Sequence, residues 1–199
     1  SGCGKSTLAQ SLVGLKPAEG GVMYFGSEPV TGSGSRAWAR VRRHVQLVFQ
    51  DPRASLSPRR SVGQSLMEPL EHFAIGTPRG RPARVAQALS RVGLDPALAL
   101  RYPHELSGGQ RQRVALARAL IAEADLIVAD EALSSLDVSI QARIVRLLRE
   151  LRREMGFAVL LVSHDLAVVR QLADRVAVMY LGRIVETAPA DQLFENPAH

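Results

Sequence analysis

The sequence predicts an α/β protein with a mostly parallel sheet and a helical segment inserted between two of its strands. Three observations predict this. Short apolar runs alternate with longer stretches of helical period, the pattern of a parallel sheet joined by helices. The runs at Val45–Phe49, Leu126–Ala129 and Ala158–Val162 read as buried strands. Composition also shifts after Gln50, where prolines at 52, 58, 69, 78 and 82 cut the chain into short helical pieces.

At 199 residues, 46% of them hydrophobic, the chain is long enough for one sizeable core with a small subdomain. Charged residues make up 22%, an ordinary share that excludes global disorder. The net charge of +6 suits an anionic ligand or surface. Many arginines, however, fall on one predicted helix with Glu150 and Glu154 interleaved, which reads as a solvated helix face rather than a nucleic-acid patch. The single cysteine, Cys3, excludes an intrachain disulfide. The longest apolar run, around Phe157–Val162, is strand-sized, so any membrane association is expected through a partner.

In chain order, Ser1–Lys5 is a Gly-rich loop and Ser6–Leu15 a helix that starts from it. Gly20–Gly26 is a short apolar strand ending in a turn, Gly32–Ser35 a turn, and Ala37–Arg43 a short helix before the strand Val45–Phe49. Residues 51–122 form the helical subdomain, with Ser61–Leu70, Ala83–Val92 and Gln110–Ala122 as its helices. After the strand Leu126–Ala129, apolar residues at 140, 144, 147, 148 and 151 give a helix over Val138–Met155, capped by Gly156. Ala158–Val162 is the next strand and Leu166–Ala173 a helix. Arg175–Tyr180 and Arg183–Glu186 form a hairpin over Leu181-Gly182, and Ala190–Glu195 is a last short helix.

Three motifs carry chemistry. Ser1-Gly-Cys-Gly-Lys-Ser-Thr7 matches the end of the phosphate-binding loop pattern GxxxxGK[ST], whose first glycine would lie just upstream of residue 1. Gly2 and Gly4 let backbone N–H groups crowd round phosphate oxygens, and the following helix points its positive end at the same anion. Lys5 would reach the β- and γ-phosphates, Ser6 would ligate Mg²⁺, and Thr7 could bond the α-phosphate. Cys3, at a variable position beside Lys5 and a helix N-terminus, should have a stabilised thiolate. Secondly, Leu126-Ile-Val-Ala-Asp130-Glu131 is a buried strand ending in two carboxylates, at the strand end where parallel sheets present residues to ligands. Asp130 suits Mg²⁺, and Glu131 can polarise an attacking water. Thirdly, Leu106-Ser107-Gly108-Gly109-Gln110 places a hydroxyl and glycine amides at a helix start, a second anion site.

Leu106-Ser-Gly-Gly-Gln110, followed by Arg-Gln-Arg-Val-Ala-Leu-Ala-Arg-Ala-Leu, resembles the signature of ABC ATPases. The resemblance implies that this second site faces the γ-phosphate of ATP bound to a partner subunit, so that two subunits clamp two ATPs head to tail. It further implies roles for Gln50 (a glutamine that senses Mg²⁺ and links to the transmembrane partner), for Asp137 in Ser134-Ser-Leu-Asp137 (the D-loop at the dimer seam) and for His164 in Val162-Ser-His-Asp165 (a switch histidine near the γ-phosphate). The pattern departs from the family at Ala132-Leu133, where Pro followed by Thr or Val is usual. The upstream strands and the adenine-stacking aromatic of the family are not in this chain, which is read as a fragment of a longer protein.

Further stretches resemble the ATP subunits of bacterial oligopeptide/dipeptide importers, whose cargoes include peptides, nickel and glutathione. They are Val48-Phe-Gln-Asp-Pro-Arg-Ala-Ser-Leu-Ser-Pro58, Arg101-Tyr-Pro-His-Glu-Leu-Ser-Gly-Gly-Gln110, Asp137-Val-Ser-Ile-Gln-Ala142, 174–186 and Phe194-Glu-Asn-Pro-Ala-His199. The resemblance covers essentially the whole chain. It implies two ATP subunits on the cytoplasmic face of the bacterial inner membrane, held there by two permease subunits and fed by an extracytoplasmic solute-binding protein. Two other classes remain as alternatives. One is a soluble ABC ATPase acting on nucleic acid or ribosomes, which salt-sensitive nucleic-acid binding would reveal. The other is a binding-only cassette with a decayed site, against which the presence of Lys5, Gln50, Asp130, Glu131 and His164 argues.

Overall fold

The computed structural model describes residues 2–30, 36–49, 55–132 and 137–198. Its central sheet has three parallel strands in the spatial order β3 (Val45–Val48), β4 (Leu126–Asp130) and β5 (Ala158–Val162). In register, Val48 lies opposite Ala129 and Asp130 opposite Val162. Helix α1 (Lys5–Leu12) starts from the Gly-rich loop. The hairpin of β1 (Met23–Phe25) and β2 (Glu28–Val30) follows, and α2 (Arg36–His44) leads into β3.

Between β3 and β4 lie α3 (Val62–His72), α4 (Arg81–Arg91), two 3-10 turns (Pro96–Leu100 and Pro103–Glu105) and α5 (Gly108–Ile121). After β4 come α6 (Val138–Met155) and then, beyond β5, α7 (Leu166–Leu172). The antiparallel pair β6 (Arg175–Tyr180) and β7 (Arg183–Pro189) and the helix α8 (Ala190–Glu195) complete the chain. No helix among the described residues is long and apolar enough to cross a membrane.

The sheet is covered on both faces, which is why its strands read as apolar runs rather than alternating ones. On β4, Ile127 and Ala129 enter the larger core cluster while Val128 enters the smaller one. On β5, Val159 and Leu161 pack against the larger cluster and Leu160 and Val162 belong to the smaller. The larger cluster is filled by Val62, Leu66 and Leu70 of α3, Leu89 of α4, Val114 of α5 and Leu148 of α6. The smaller holds Ala9 and Val13 of the α1 region together with Val30 and Val41, with Trp38 as its largest member. Gly14 makes that packing possible. Its φ is +72°, and a β-carbon there would lie 2.7 Å from the Trp38 ring, so the chain can turn off α1 over the indole only as glycine.

The structure differs from the sequence reading at several boundaries, each for a local reason. Helix α1 ends at Leu12 rather than Leu15 because of that turn at Gly14. The stretch 20–26 contains the first strand of a hairpin whose return strand, Glu28–Val30, carries a proline that hides it in the sequence. Pro29 sits opposite Tyr24 in a two-stranded sheet, where an edge position tolerates the missing N–H. Proline also fails to end α3, which continues through Pro69 to His72. Pro82 sits in the first turn of α4, where no helical hydrogen bond is lost. Helix α5 starts at Gly108, not Gln110, because Ser107 and Gln110 form a reciprocal capping box over the two glycines. The turn expected at 32–35 lies outside the described residues.

Strands β5 and β6 do not pair with each other. A cavity of about 580 Å³ separates them, lined by consecutive residues of both strands, including Leu160, Leu161, Val162, Val176, Ala177 and Val178. Consecutive lining residues from each strand mean that the cavity lies in the plane of the sheet, between two open strand edges.

Candidate functional site

The C-terminal ends of β4 and β5 and the start of α1 converge on one place, as parallel strand order requires. Gly2 (φ +88°) and Gly4 (φ +96°) carry the loop into α1 through left-handed conformations that favour glycine. Gly4 is the N-cap of α1 and offers no side-chain acceptor, and the first turn holds no acidic residue. The N–H groups of that turn are thus left for an external anion. The loop is steadied by the turn between β6 and β7, where the Gly182 N–H donates to the Cys3 carbonyl at 3.1 Å.

The Ser6 hydroxyl donates to Asp130 Oδ1 at 3.0 Å, joining residues 124 positions apart. Asp130 is buried, and that burial pushes its carboxyl above the ordinary range. The neighbouring Glu131 charge adds to the shift, while the Ser6 bond opposes it. A buried carboxylate and a hydroxyl, both hard oxygen donors at hydrogen-bond distance, fit a small divalent cation that would share a phosphate ligand. Lys5 Nζ lies 3.2 Å from Cys3 Sγ, and this contact lowers the thiol's pKa below its usual value.

Glu131 takes a left-handed backbone conformation, φ +46°, which costs a non-glycine residue about 1–3 kcal/mol and is typical of functional positions. Its N–H donates to the Val162 carbonyl at 2.9 Å, tying the end of β4 to the end of β5. Its carboxylate meets His164 Nδ1 at 3.2 Å, with the glutamate side chain 18% exposed and the histidine 62%. A carboxylate held by a solvent-facing imidazole can accept a proton from a bound water. Next to it, Asp165 caps α7 and accepts from Gln141 Nε2 at 2.9 Å. That amide, with the α7 N–H groups, keeps the Asp165 carboxyl below its ordinary range.

The structure thus brings together Gly2, Cys3, Gly4, Lys5, Ser6, Asp130, Glu131 and His164 at one end of the sheet; Thr7 is exposed on the first turn of α1. The signature residues stand apart at the start of α5. Ser107 Oγ accepts from the Gln110 N–H at 3.3 Å, and the Ser107 N–H donates to Gln110 Oε1 at 2.9 Å; among the described residues no hydrogen bond joins them to the loop at Gly2–Lys5. Leu106 is buried in the core, so its side chain anchors the signature, and Ser107 and Gly108 are the exposed members. Gly109 is buried because Ile140 packs against it. Asp137 is exposed at the start of α6. Ser1, Gln50 and 134–136 lie outside the described residues. The sequence reading missed Gln141 and Asp165, and the pairing of 141 with 165 has no sequence-local signal.

The fold and the site define an α/β domain of the P-loop NTPase type. The family model for "ABC transporter" matches residues 1–134, and the chain belongs to that family. It is 51% identical over 199 residues to the glutathione import ATP-binding protein GsiA of Pectobacterium atrosepticum, covering all of this chain and 32% of the relative. It is 47% identical over 200 residues to the oligopeptide transport ATP-binding protein AppF of Bacillus subtilis, covering all of this chain and 61% of the relative. The chain therefore spans about a third of the length of the glutathione-import relatives. Among solved structures it resembles the ATP-binding cassette MJ0796, a dimer in a post-hydrolysis state bound to ADP and Pi. The TM-score is 0.82 at 28% identity, over 95% of this chain and 82% of that one.

Proposed function

We propose that the chain is the catalytic part of an ATP-hydrolysing subunit that powers import of peptides or related small solutes, glutathione among them, through a membrane ABC transporter. The observation that carries this reading is the convergence of Lys5, Ser6, Asp130, Glu131 and His164 at one end of the sheet. The relatives named for glutathione and oligopeptide transport supply the solute class. In this reading the loop Ser1–Thr7 binds ATP, and Ser6, Asp130 and Gln50 hold Mg²⁺, which supplies charge neutralisation on the phosphates. Glu131 takes the proton of the attacking water and His164 orients it. Leu106–Gln110 serves the ATP of a second ABC ATPase subunit, with Ser107 and the glycine amides as donors, and Asp137 lies at the seam between the two. Permease subunits hold the dimer at the cytoplasmic face of the inner membrane, and a solute-binding protein delivers cargo; nucleic acid is not among the partners.

In the same reading, residues 1–50 and 123–199 form the core and 51–122 the helical subdomain. The in-plane cavity between β5 and β6 has the size and lining for one further extended strand, supplied from outside these residues. The test of the transport reading is ATP turnover by the full-length protein with its permeases in vesicles. Turnover should rise when the cognate binding protein is loaded with a short peptide or glutathione. Turnover stimulated instead by nucleic acid, in a salt-sensitive way, contradicts it.

The Lys5–Cys3 contact gives a second expected result. With its thiolate favoured by Lys5, Cys3 should react with a maleimide, the adduct should block ATP binding, and bound ATP should protect the thiol. Fully labelled protein that still binds ATP normally removes Cys3 from the binding surface.

A further inference from the structure

Three motifs of the site meet at a place that none of them includes, the first turn of α6. The Gln141 N–H donates to the carbonyl of Asp137 at 2.8 Å, which closes that turn onto the D-loop aspartate. The side chain of the preceding residue, Ile140, crowds the signature. A β-carbon at Gly109 would lie 2.8 Å from Ile140 Cγ2, so helix α5 starts in direct contact with α6. The side chain of Gln141 reaches the switch-histidine loop, where its Nε2 donates to Asp165 Oδ2 at 2.9 Å across 24 residues of sequence. The other oxygen of Asp165 accepts from the Ala167 and Val168 N–H groups at 2.9 and 3.3 Å, and its own N–H donates to Ser163 Oγ at 3.0 Å. Asp165 is therefore fixed on both sides, and His164, one residue before it, faces Glu131 at 3.2 Å.

We propose that Gln141 is a positioning residue. Through its bond to Asp165 it holds the His164 loop in register with the first turn of α6, and through Ile140 that same turn is held to the signature. The inference rests on the ATPase reading. It assigns the chain a direct mechanical path from the motif that serves the partner's ATP (Ser107–Gly109) to the histidine that serves its own. Neighbouring residues 140 and 141 of one helical turn are rigidly related. A shift of α5 that displaces Ile140 must therefore carry Gln141, and Gln141 must either carry Asp165 or release it. Gln141 touches no reacting atom. Its effect is on where His164 stands, so it should appear in turnover and not in nucleotide affinity.

The experiment uses the full-length protein and an exchange of partners. Gln141→Glu sets a carboxylate against Asp165. The double variant Gln141→Glu/Asp165→Asn restores the bond in reverse: the amide introduced at position 165 donates to the carboxylate introduced at position 141, and its oxygen still caps α7. The single variant should lower kcat about tenfold, the size of a lost bond to a charged group, with ATP affinity within about twofold of wild type. The double variant should recover to within roughly threefold of wild type. If Gln141→Glu does not fold, Gln141→Leu, which removes the donor without adding a charge, should show the same split. Ile140→Ala should also lower kcat, and combined with Gln141→Leu it should lose little more than the worse single change, because both cut one path. A wild-type protein that hydrolyses ATP while Gln141→Leu and Gln141→Glu keep full turnover overturns this inference alone. A double exchange that fails to recover assigns the effect elsewhere and overturns it too, as do fully multiplicative losses for the Ile140 pair. A wild-type protein that binds but never hydrolyses ATP overturns the ATPase reading and this inference with it.

Discussion

Glu131→Gln in the full-length protein is expected to cut steady-state ATP turnover by about 100-fold or more, the usual contribution of a general base. It should also accumulate an ATP-bound dimer. Glu131 is held in a left-handed conformation, pinned to β5 through the Val162 carbonyl, with its carboxylate against His164. Glutamine is nearly isosteric, keeps a hydrogen-bonding partner for His164 and leaves Lys5, Ser6 and Asp130 untouched, so nucleotide binding should survive. What it cannot do is take a proton. Phosphate release and sedimentation, each with and without Mg-ATP, check the two halves. Near wild-type turnover would remove Glu131 as the base, and slow turnover without a dimer would separate hydrolysis from the head-to-tail arrangement.

Ser107→Arg is expected to lose turnover on a similar scale, about 100-fold, comparable with removing a preorganised donor from a developing charge. It should leave ATP binding by the isolated subunit close to wild type. Ser107 is an exposed N-cap, so the substitution removes the capping box and fills the start of α5 with a long side chain. The Gly2–Lys5 loop of the same chain, the proposed phosphate site, makes no hydrogen bond to it among the described residues, which is why affinity should be spared. Ser107→Thr keeps both the cap and a hydroxyl and should keep most of the activity. Paired measurement of ATP affinity and turnover for the two variants is decisive. If Ser107→Arg binds ATP far more weakly as an isolated subunit, the signature serves this chain's own nucleotide and the two-subunit account is wrong.

Much of the fold and of the site was legible in the sequence. Val138–Met155 and Ala158–Val162 carried unambiguous periods or lengths and form those very elements. Gly156 caps α6 in the left-handed conformation its position suggested. Residues 130 and 131 are expected at the ligand crevice because parallel strands present their C-terminal ends to it, residues 5 and 6 because they close a phosphate-loop pattern, and residue 164 through the family resemblance alone; the structure brings all five to one end of the sheet. What stayed hidden was whatever depends on tertiary partners. Pro29 hid β2, since only pairing with β1 shows that its missing N–H is harmless. That Leu106 is the member of its motif that points into the core was hidden too, because nothing within five residues of sequence says which of them does. The burial of Trp38 beneath Gly14 and the bond from Gln141 to Asp165 join residues 24 apart in each case, beyond any local rule.

The most direct test of the central claim, that the Gly-rich loop and the carboxylate strand form one nucleotide site, is Mg-ATP titration of the wild-type protein beside Lys5→Ala. Lys5 closes the loop next to Cys3 at the start of α1, and Ser6, the residue after it, bonds Asp130. Removing its ammonium should weaken ATP binding by roughly 100-fold, the scale of truncating one partner of a hydrogen-bonded charge pair. Binding by the wild type that is lost in Lys5→Ala is the predicted result. Equal affinity in the two proteins would contradict the assignment of the phosphate site, and with it every role placed around it.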